Sequence, residues 1–137
     1  MDEQPAKAVD SNSGWLTVLV AAGAFVMGAL LLLPLVYGYF QASHDQLAPN
    51  GSFGFRDAAT RSSLPAWYAS QRAGFSWLLF AGGPILVLSM FFYVVAAVRR
   101  RSPRAVFVVA AVSLVLFVVA TVVAGLHADH VARAITG

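Results

Sequence analysis

The residues whose types and spacing could do chemistry are concentrated in one polar stretch, N-G-S-F-G-F-R, which runs from Asn50 to Arg56. Asn-Gly is a strong turn dipeptide, and Gly54 can adopt the positive φ angles that a tight turn requires. The guanidinium of Arg56 offers five N–H donors in a planar fork, which suits carbonyl, carboxylate or phosphate oxygens. The stretch predicts a rigid loop that presents an arginine. This arginine would have a structural role, bonding carbonyls of the loop or lipid phosphate, or it would bind a partner.

A second group of candidate ligands, His127, Asp129 and His130, lies near the C-terminus. The two histidines would share one face of a helix, and His44 and Asp45 could join them if they lie on the same side of the membrane. Two histidines and a carboxylate can bind a transition metal. Histidines near a helix C-terminus are also favourable without a metal, because His⁺ interacts with the helix dipole. We expect no metal and no cofactor, and His127 and His130 remain the candidate ligands if a metal is bound.

The sequence lacks the residue patterns that catalysis or transport usually needs. It has no Ser-His-Asp grouping, no Gly-rich phosphate loop and no cysteine for a disulfide or a thiolate metal ligand. Transporters bury ionisable groups along their path. The small polar side chains of the apolar segments are instead all hydroxyls: Thr17, Ser76, Ser89, Ser113 and Thr121. We therefore expect a protein that acts by binding, and neither an enzyme nor a transporter.

The composition indicates a membrane protein. The 137-residue chain is 59% hydrophobic and 11% charged, with a mean hydropathy of +0.74, whereas a soluble domain is about 25% charged. Three uncharged segments, 15–40, 75–98 and 105–126, are each long enough to cross about 30 Å of hydrocarbon as a helix. These features predict an all-α membrane protein with three transmembrane helices and a 32-residue loop, 41–72, between the first and the second.

The predicted organisation is a polar N-terminal tail, residues 1–13, followed by a single transmembrane domain, residues 14–137. The first apolar segment is too long for the hydrophobic region of a signal peptide, so we expect it to remain as an anchor. Small residues recur at helical spacing, where helix backbones can approach each other closely. These pairs are Ala24 with Gly28, Ala120 with Ala124, and Thr121 with Gly125.

The second helix has a start signal ahead of its apolar segment. Ser62 or Ser63 can cap a helix, and Pro65 would lie in its first turn, where a missing N–H is tolerated. The lead-in to the membrane would then be helical. Trp67 and Tyr68 would act as aromatic anchors at the membrane interface.

Four of the nine basic residues lie in the short connection between the second and third spans: Arg99, Arg100, Arg101 and Arg104. Short arginine-rich loops are retained in the cytoplasm, so this cluster predicts a cytoplasmic N-terminus, with the 41–72 loop and the C-terminus outside. The same cluster would attract anionic membrane lipids. We attribute the net charge of +3 to this role and expect no binding of nucleic acid.

The loop residues form the pattern N-x3-G-x-R-x3-T-x6-W-x4-R, which resembles the SdpI family of small bacterial membrane proteins. The resemblance covers about 49–83, and its residues are Asn50, Gly54, Arg56, Thr60, Trp67 and Arg72. Two positions depart from the family pattern. Asp57 stands where the family usually has Thr, and Gln71 stands where it commonly has His or Asn.

The resemblance implies a multi-pass protein of the bacterial inner membrane that acts in toxin immunity or in membrane signalling. It would bind another membrane protein or a peptide toxin, and the six pattern residues would bind that partner or structure the loop. Helix counting in larger family members would place the loop on the cytoplasmic side, opposite to the side that the arginines predict. The alternative function is an accessory subunit of a larger respiratory or transport complex, with the small-residue faces making the contacts.

Overall fold

The computed structural model describes the backbone of residues 6–49, 51 and 53–137, and the side chains of these residues from Gly14 onward. It contains three α-helices: α1 (Ala6–Ser43), α2 (Leu64–Val98) and α3 (Pro103–Thr136). Each helix includes a segment long and apolar enough to cross a membrane, which confirms the predicted all-α, three-span architecture. Of the predicted polar tail, residues 1–5 lie outside the described residues, and the backbone that follows is helical.

The predicted 32-residue loop between the first two helices is wrong, because the helices extend beyond the apolar segments and leave only 44–63 as the connection. The helix α2 begins at Leu64, where the hydroxyl of Ser63 accepts a hydrogen bond from the N–H of Ala66 at 3.3 Å. Pro65 lies in the first turn. The polar residues that follow are compatible with a helix, so the apolar segment marks only part of it.

The helix α3 likewise continues beyond Leu126, the last residue of its predicted span. Its polar end carries an ion pair between Asp129 and Arg133, one helical turn apart, with 2.8 Å between Oδ2 and Nε. Such pairs stabilise an exposed helix by roughly 0.2–0.5 kcal/mol. This extension places the C-terminal histidines and the ion pair on a regular helix beside the 44–63 connection.

The central element of the bundle is α2, because α1 and α3 each pack along it and contact each other far less. One core cluster lies towards the 44–63 connection and the other towards the arginine turn. The first includes Leu35, Phe75, Leu78, Phe117 and Ala124, and the second consists of Ala21, Tyr93, Ala96 and Val106. The weak contact between α1 and α3 leaves a cleft between them.

The small residues on the helices contribute to packing within the chain. Ala120 and Ala124 are buried in the first core cluster. A Cβ atom on Gly28 would lie 2.9 Å from Cγ of Met90. The Ala120–Ala124 face is therefore occupied within the bundle, whereas Ala24 and Gly28 also line the cleft between α1 and α3, and Gly125 lies at the surface near the loop.

The turn between α2 and α3 is held against the start of α1. The hydroxyl of Thr17 donates a 2.6 Å hydrogen bond to the carbonyl of Arg101. Arg100 has a positive φ of 47°, and its side chain lies against Gly14. The arginines of this turn are thus fixed at the end of the bundle opposite to the 44–63 connection.

Candidate functional site

The 44–63 connection folds back onto the helices and inserts two aromatic rings between them. The ring of Phe53 stacks on that of Phe75 with 5.3 Å between centroids, and Phe55 contacts the same ring at 5.2 Å. Glycines provide the space, because a Cβ atom on Gly38 would collide with Phe75 and a Cβ atom on Gly74 would collide with Phe55. The alternation of phenylalanines around Gly54 therefore anchors the connection to the bundle.

A buried amide side chain holds the backbone of this loop. Gln71 is fully buried in α2. Its Oε1 accepts a hydrogen bond from the N–H of Phe55 at 2.9 Å, and its Nε2 donates to the carbonyl of Phe55 at 2.8 Å. One amide thus satisfies both backbone groups of a residue in the middle of the loop, as a neighbouring strand would.

Gly54 is required at its position for two independent reasons. Its φ is 119°, which places it in a region that residues with a Cβ atom rarely adopt. A Cβ atom there would also lie only 2.6 Å from Oε1 of Gln71. The turn that the sequence predicted at this glycine is therefore part of the same arrangement as the Gln71 amide.

A reciprocal pair of hydrogen bonds closes the next turn. The N–H of Thr60 donates to Oδ1 of Asp57 at 2.8 Å, and the N–H of Asp57 donates to Oγ1 of Thr60 at 3.1 Å. The hydroxyl of Thr60 also lies 3.1 Å from the carbonyls of Phe55 and Asp57, and can donate to either. Thr60 is completely buried, so its hydrogen bonds are shielded from water and the turn is rigid.

Trp67 is part of this internal network, and the prediction that it anchors the chain at the membrane interface is wrong. Its side chain is 1% exposed, and its Nε1–H donates a 2.7 Å hydrogen bond to the carbonyl of Leu47. The connection covers the first turns of α2 and removes the indole from the surface. Tyr68, beside it, is only partly buried.

The two arginines of the pattern lie on the outside of the loop. Nη2 of Arg56 donates to the carbonyl of Pro49 at 3.1 Å, and Nη1 of Arg72 lies 3.4 Å from Oδ2 of Asp45. Both arginines are exposed, so an ion pair such as that of Arg72 contributes at most about 1 kcal/mol. Asn50, which the pattern also includes, lies outside the described residues.

A shallow depression of about 480 Å³ lies where the loop meets the end of α3; we refer to it as the loop pocket. Its apolar part includes Phe55, Val122 and Leu126, and its polar part consists of Arg56, Asp57, Asp129 and Arg133. Oδ1 of Asp129 is shielded from solvent and has no hydrogen-bond partner among the described residues. The loop pocket thus combines an apolar floor with two cationic and two anionic side chains.

The model of the SdpI/YfhL protein family matches residues 46–126, which is more than half of the chain. The chain belongs to the SdpI/YfhL family. Comparison with curated proteins and with solved structures gave no match. The matched range begins in the 44–63 connection and includes all of α2 and most of α3. It therefore contains the whole Gly54 to Arg72 network, while Asp129 and Arg133 lie beyond it.

In this SdpI/YfhL-family chain the pattern residues divide into two groups by position. Gly54, Thr60 and Trp67 point into the network that structures the loop, and Arg56 and Arg72 remain exposed. Four further residues of the network were not among the predicted site residues: Gln71, Asp57, Phe53 and Phe55. Gln71 and Asp57 were noted only because they depart from the family pattern. The inserted rings of Phe53 and Phe55 could have been recognised from the F-G-F alternation.

The C-terminal histidines lie on the polar end of α3 beside the 44–63 connection, and the arginine cluster lies at the opposite end of the bundle. Among the residues that the structure describes, no group of three His, Cys, Asp or Glu side chains could hold a metal ion. Of the carboxylates considered with His127 and His130, Asp45 pairs with Arg72 and Asp129 pairs with Arg133. The topology arginines, Arg99, Arg100, Arg101 and Arg104, lie in and beside the α2–α3 turn.

Proposed function

We propose that this SdpI/YfhL-family protein is not an enzyme. It would bind a partner in toxin immunity or membrane signalling at a bacterial plasma membrane. The partner would be another membrane protein or a peptide toxin, and the loop surface around Arg56 would bind it. The observation that carries the proposal is that the loop has two groups of side chains, one buried and one exposed. Buried side chains bond its backbone internally, and this leaves an exposed arginine beside the loop pocket.

The rigidity of the loop supports a binding role. A surface that is already ordered loses little conformational entropy when it binds, so more of the contact energy contributes to affinity. The amide of Gln71, the hydroxyl of Thr60 and the indole of Trp67 each bond the loop backbone. These bonds fix the position of Arg56, whose side chain makes one hydrogen bond to the loop and is otherwise exposed.

The loop pocket suggests the chemistry of the contact. An apolar side chain of the partner would lie on Val122 and Leu126, and a carboxylate or backbone carbonyl would accept hydrogen bonds from Arg56. Interfaces of this kind combine an apolar centre with a polar rim, and arginine is enriched among the residues that dominate their affinity. A hydrogen bond to a charged donor contributes about 1.5–3 kcal/mol.

The test replaces Arg56 by lysine and by alanine, because lysine keeps the charge but cannot reproduce the planar fork. Both variants should insert normally and lose partner capture or toxin protection by about 10- to 100-fold, the equivalent of 1.5–3 kcal/mol. The matched control is Arg61→Ala. Arg61 is an exposed arginine of the same connection whose contact with the carbonyl of Asp57 is longer, at 3.4 Å.

Abundance in the membrane and the amount of partner recovered with a tagged protein are measured for all variants. Loss of the protein itself in the Arg56 variants would assign that residue a structural role only. Unchanged partner recovery, or an equal loss in Arg61→Ala, would contradict recognition by Arg56. The accessory-subunit alternative would be favoured if large membrane subunits were recovered in fixed stoichiometry and the Arg56 substitutions did not change their recovery.

A further inference from the structure

We propose that the cleft between α1 and α3 binds one acyl chain of an anionic phospholipid, whose phosphate is held by Arg101 and Arg104 at the head of the cleft. The cleft has a volume of about 460 Å³. It is lined by Val20 and Met27 of α1, Tyr93 of α2, and Phe107, Ala111 and Leu114 of α3.

The cleft is suited to a flexible hydrocarbon chain. The cleft is long and narrow enough to hold one acyl chain lying along it, from Val20 to Leu31 of α1 and from Phe107 to Leu114 of α3. A transmembrane helix is about 10 Å wide and 30 Å long, and is far too large to enter the cleft.

The two serine hydroxyls within the cleft are already satisfied, so the cleft presents a largely apolar surface. The hydroxyls of Ser89 and Ser113 each donate a 2.6 Å hydrogen bond to a carbonyl one turn earlier in their helices. The two hydroxyls also contact each other. Apart from these serines and the hydroxyl of Tyr93, the side chains that line the cleft are apolar, and hydrocarbon is therefore the favoured occupant.

The helix register places two arginines at one end of this cleft. On α3, Arg104 precedes Phe107 by three residues and Ala111 by seven, so the three lie on one face of the helix. On α1, Thr17 precedes the cleft residue Val20 by three positions, and its hydroxyl bonds the carbonyl of Arg101. Arg104 thus lies at the head of the cleft on the α3 side, and the backbone of Arg101 lies there on the α1 side.

The position of the cleft head in the bilayer and the charge there both suit a phosphate. Trp15, whose side chain is 68% exposed, lies beside Thr17, and exposed tryptophans favour the headgroup region of a bilayer. Arg101 and Arg104 are exposed and make no ion pair with any side chain that the structure describes. No acidic residue occurs in α2 or in the α2–α3 turn, and Asp10, seven residues before Thr17 on α1, lies among the residues whose side chains the structure does not describe. A guanidinium binds phosphate with two parallel hydrogen bonds.

The charge also argues against a second copy of the chain as the occupant. Two copies related by an axis perpendicular to the membrane would bring their arginine turns to the same surface, close to each other. Like charges at that distance repel, whereas an anionic headgroup neutralises them. The cleft and the arginines together therefore point to lipid.

The test is native mass spectrometry of the full-length protein in detergent with added phosphatidylglycerol, and with phosphatidylcholine carrying the same acyl chains. We expect one phosphatidylglycerol per chain, bound at least about tenfold more tightly than phosphatidylcholine, and no competition by glycerol phosphate alone. Equal binding of the two lipids, or displacement by glycerol phosphate, would overturn the proposal. Dimers in place of the one-lipid complex would overturn it in favour of a second copy.

Two variants separate this site from general attraction to anionic lipid. Gly23→Leu fills the cleft without a clash, since a Cβ atom there would meet nothing within 4 Å, and it should abolish retention of the lipid. Its control is Val26→Leu, at an exposed position of the same helix outside the cleft. Unchanged retention in Gly23→Leu would refute acyl-chain binding.

Arg104→Gln should weaken phosphatidylglycerol binding by about tenfold. Arg99→Gln removes the same charge from the same turn, but at the end of α2 and away from the cleft residues. We expect it to change binding by less than about threefold. An equal loss in both variants would show diffuse attraction and would refute a defined headgroup site.

Discussion

At the scale of single residues, the loop depends on side chains that substitute for missing backbone partners. The amide of Gln71 bonds both the N–H and the carbonyl of Phe55. The carboxylate of Asp57 and the hydroxyl of Thr60 bond each other's backbone N–H groups. A buried polar group left without a partner costs about 1–3 kcal/mol, so each of these side chains contributes to the fixed shape of the loop.

Gly54 provides the sharpest test at this scale. Gly54→Ala should open the loop, because alanine is strained at a φ of 119° and its Cβ atom would lie 2.6 Å from Oε1 of Gln71. The expected cost is about 1–3 kcal/mol. Trypsin cleavage after Arg56 or Arg61 in membranes should become about 5- to 100-fold faster if cleavage follows the opened population.

The control for this substitution is Gly51→Ala, which adds the same methyl group within the same connection. Its Cβ atom would lie 3.2 Å from the carbonyl oxygen of Ala48, a tight contact but not a collision. Cleavage should therefore accelerate much less. Equal cleavage rates in the two variants would mean that the loop tolerates an ordinary residue at position 54.

At the scale of elements, the sequence predicts the three helices but not their full length. Hydropathy identifies the part of a helix that is apolar, whereas α2 begins at Leu64 because of the cap at Ser63. The cap residue and Pro65 were recognisable in the sequence. The predicted 41–72 boundaries failed because polar and charged residues were assigned to the loop although they are compatible with helix.

The contacts between the loop and the helices were harder to predict than the helices. The bond from Trp67 to Leu47 and the bonds from Gln71 to Phe55 join residues far apart in sequence. Their partners depend on how the connection lies over α2, which no local pattern specifies. Gly54 could be predicted to adopt positive φ from its type alone, whereas the role of Gln71 requires the tertiary structure.

Two glycines of α2 test the packing of the inserted ring. Gly74→Ala should destabilise the protein by about 1–3 kcal/mol, because the new Cβ atom collides with the ring of Phe55. Gly83→Ala should be close to neutral, because its Cβ atom makes only an ordinary 3.6 Å contact with Leu79 and the helix propensity of alanine is offset by its contact with Pro84.

Thermal unfolding in detergent, followed by circular dichroism, measures both effects. If both variants melt at a lower temperature than the wild type, α2 requires glycine for flexibility and not for space. If neither variant melts earlier, the ring of Phe55 must move aside at little cost, and the loop is less firmly seated than its contacts indicate.

At the scale of the whole molecule, the chain has different surfaces at its two ends. The loop pocket and its ion pairs lie at one end, and four arginines without neighbouring carboxylates in the described structure lie at the other. Short arginine-rich segments are retained in the cytoplasm. We therefore predict that the arginine turn faces the cytoplasm and that the 44–63 connection and the C-terminus lie outside.

Single cysteines at Ala58 and Ser102 test this orientation, since both positions are exposed and the chain has no cysteine of its own. An impermeant thiol reagent applied to intact cells should label position 58 and should reach position 102 only after the membrane is permeabilised. The reverse labelling would place the loop in the cytoplasm, as helix counting in larger family members implies.

The length of α2 determines how far the loop stands from the lipid. With 35 residues and a rise of 1.5 Å per residue, the helix is about 52 Å long, whereas the hydrocarbon layer is about 30 Å thick. Its apolar residues continue to Val98, directly before the arginines, so most of the excess lies at the end that begins with Leu64. The first turns of α2 therefore project beyond the hydrocarbon layer, and the connection packs along them as far as Gly74. This places Arg56 close to the bilayer surface, where a peptide adsorbed to the membrane can reach it.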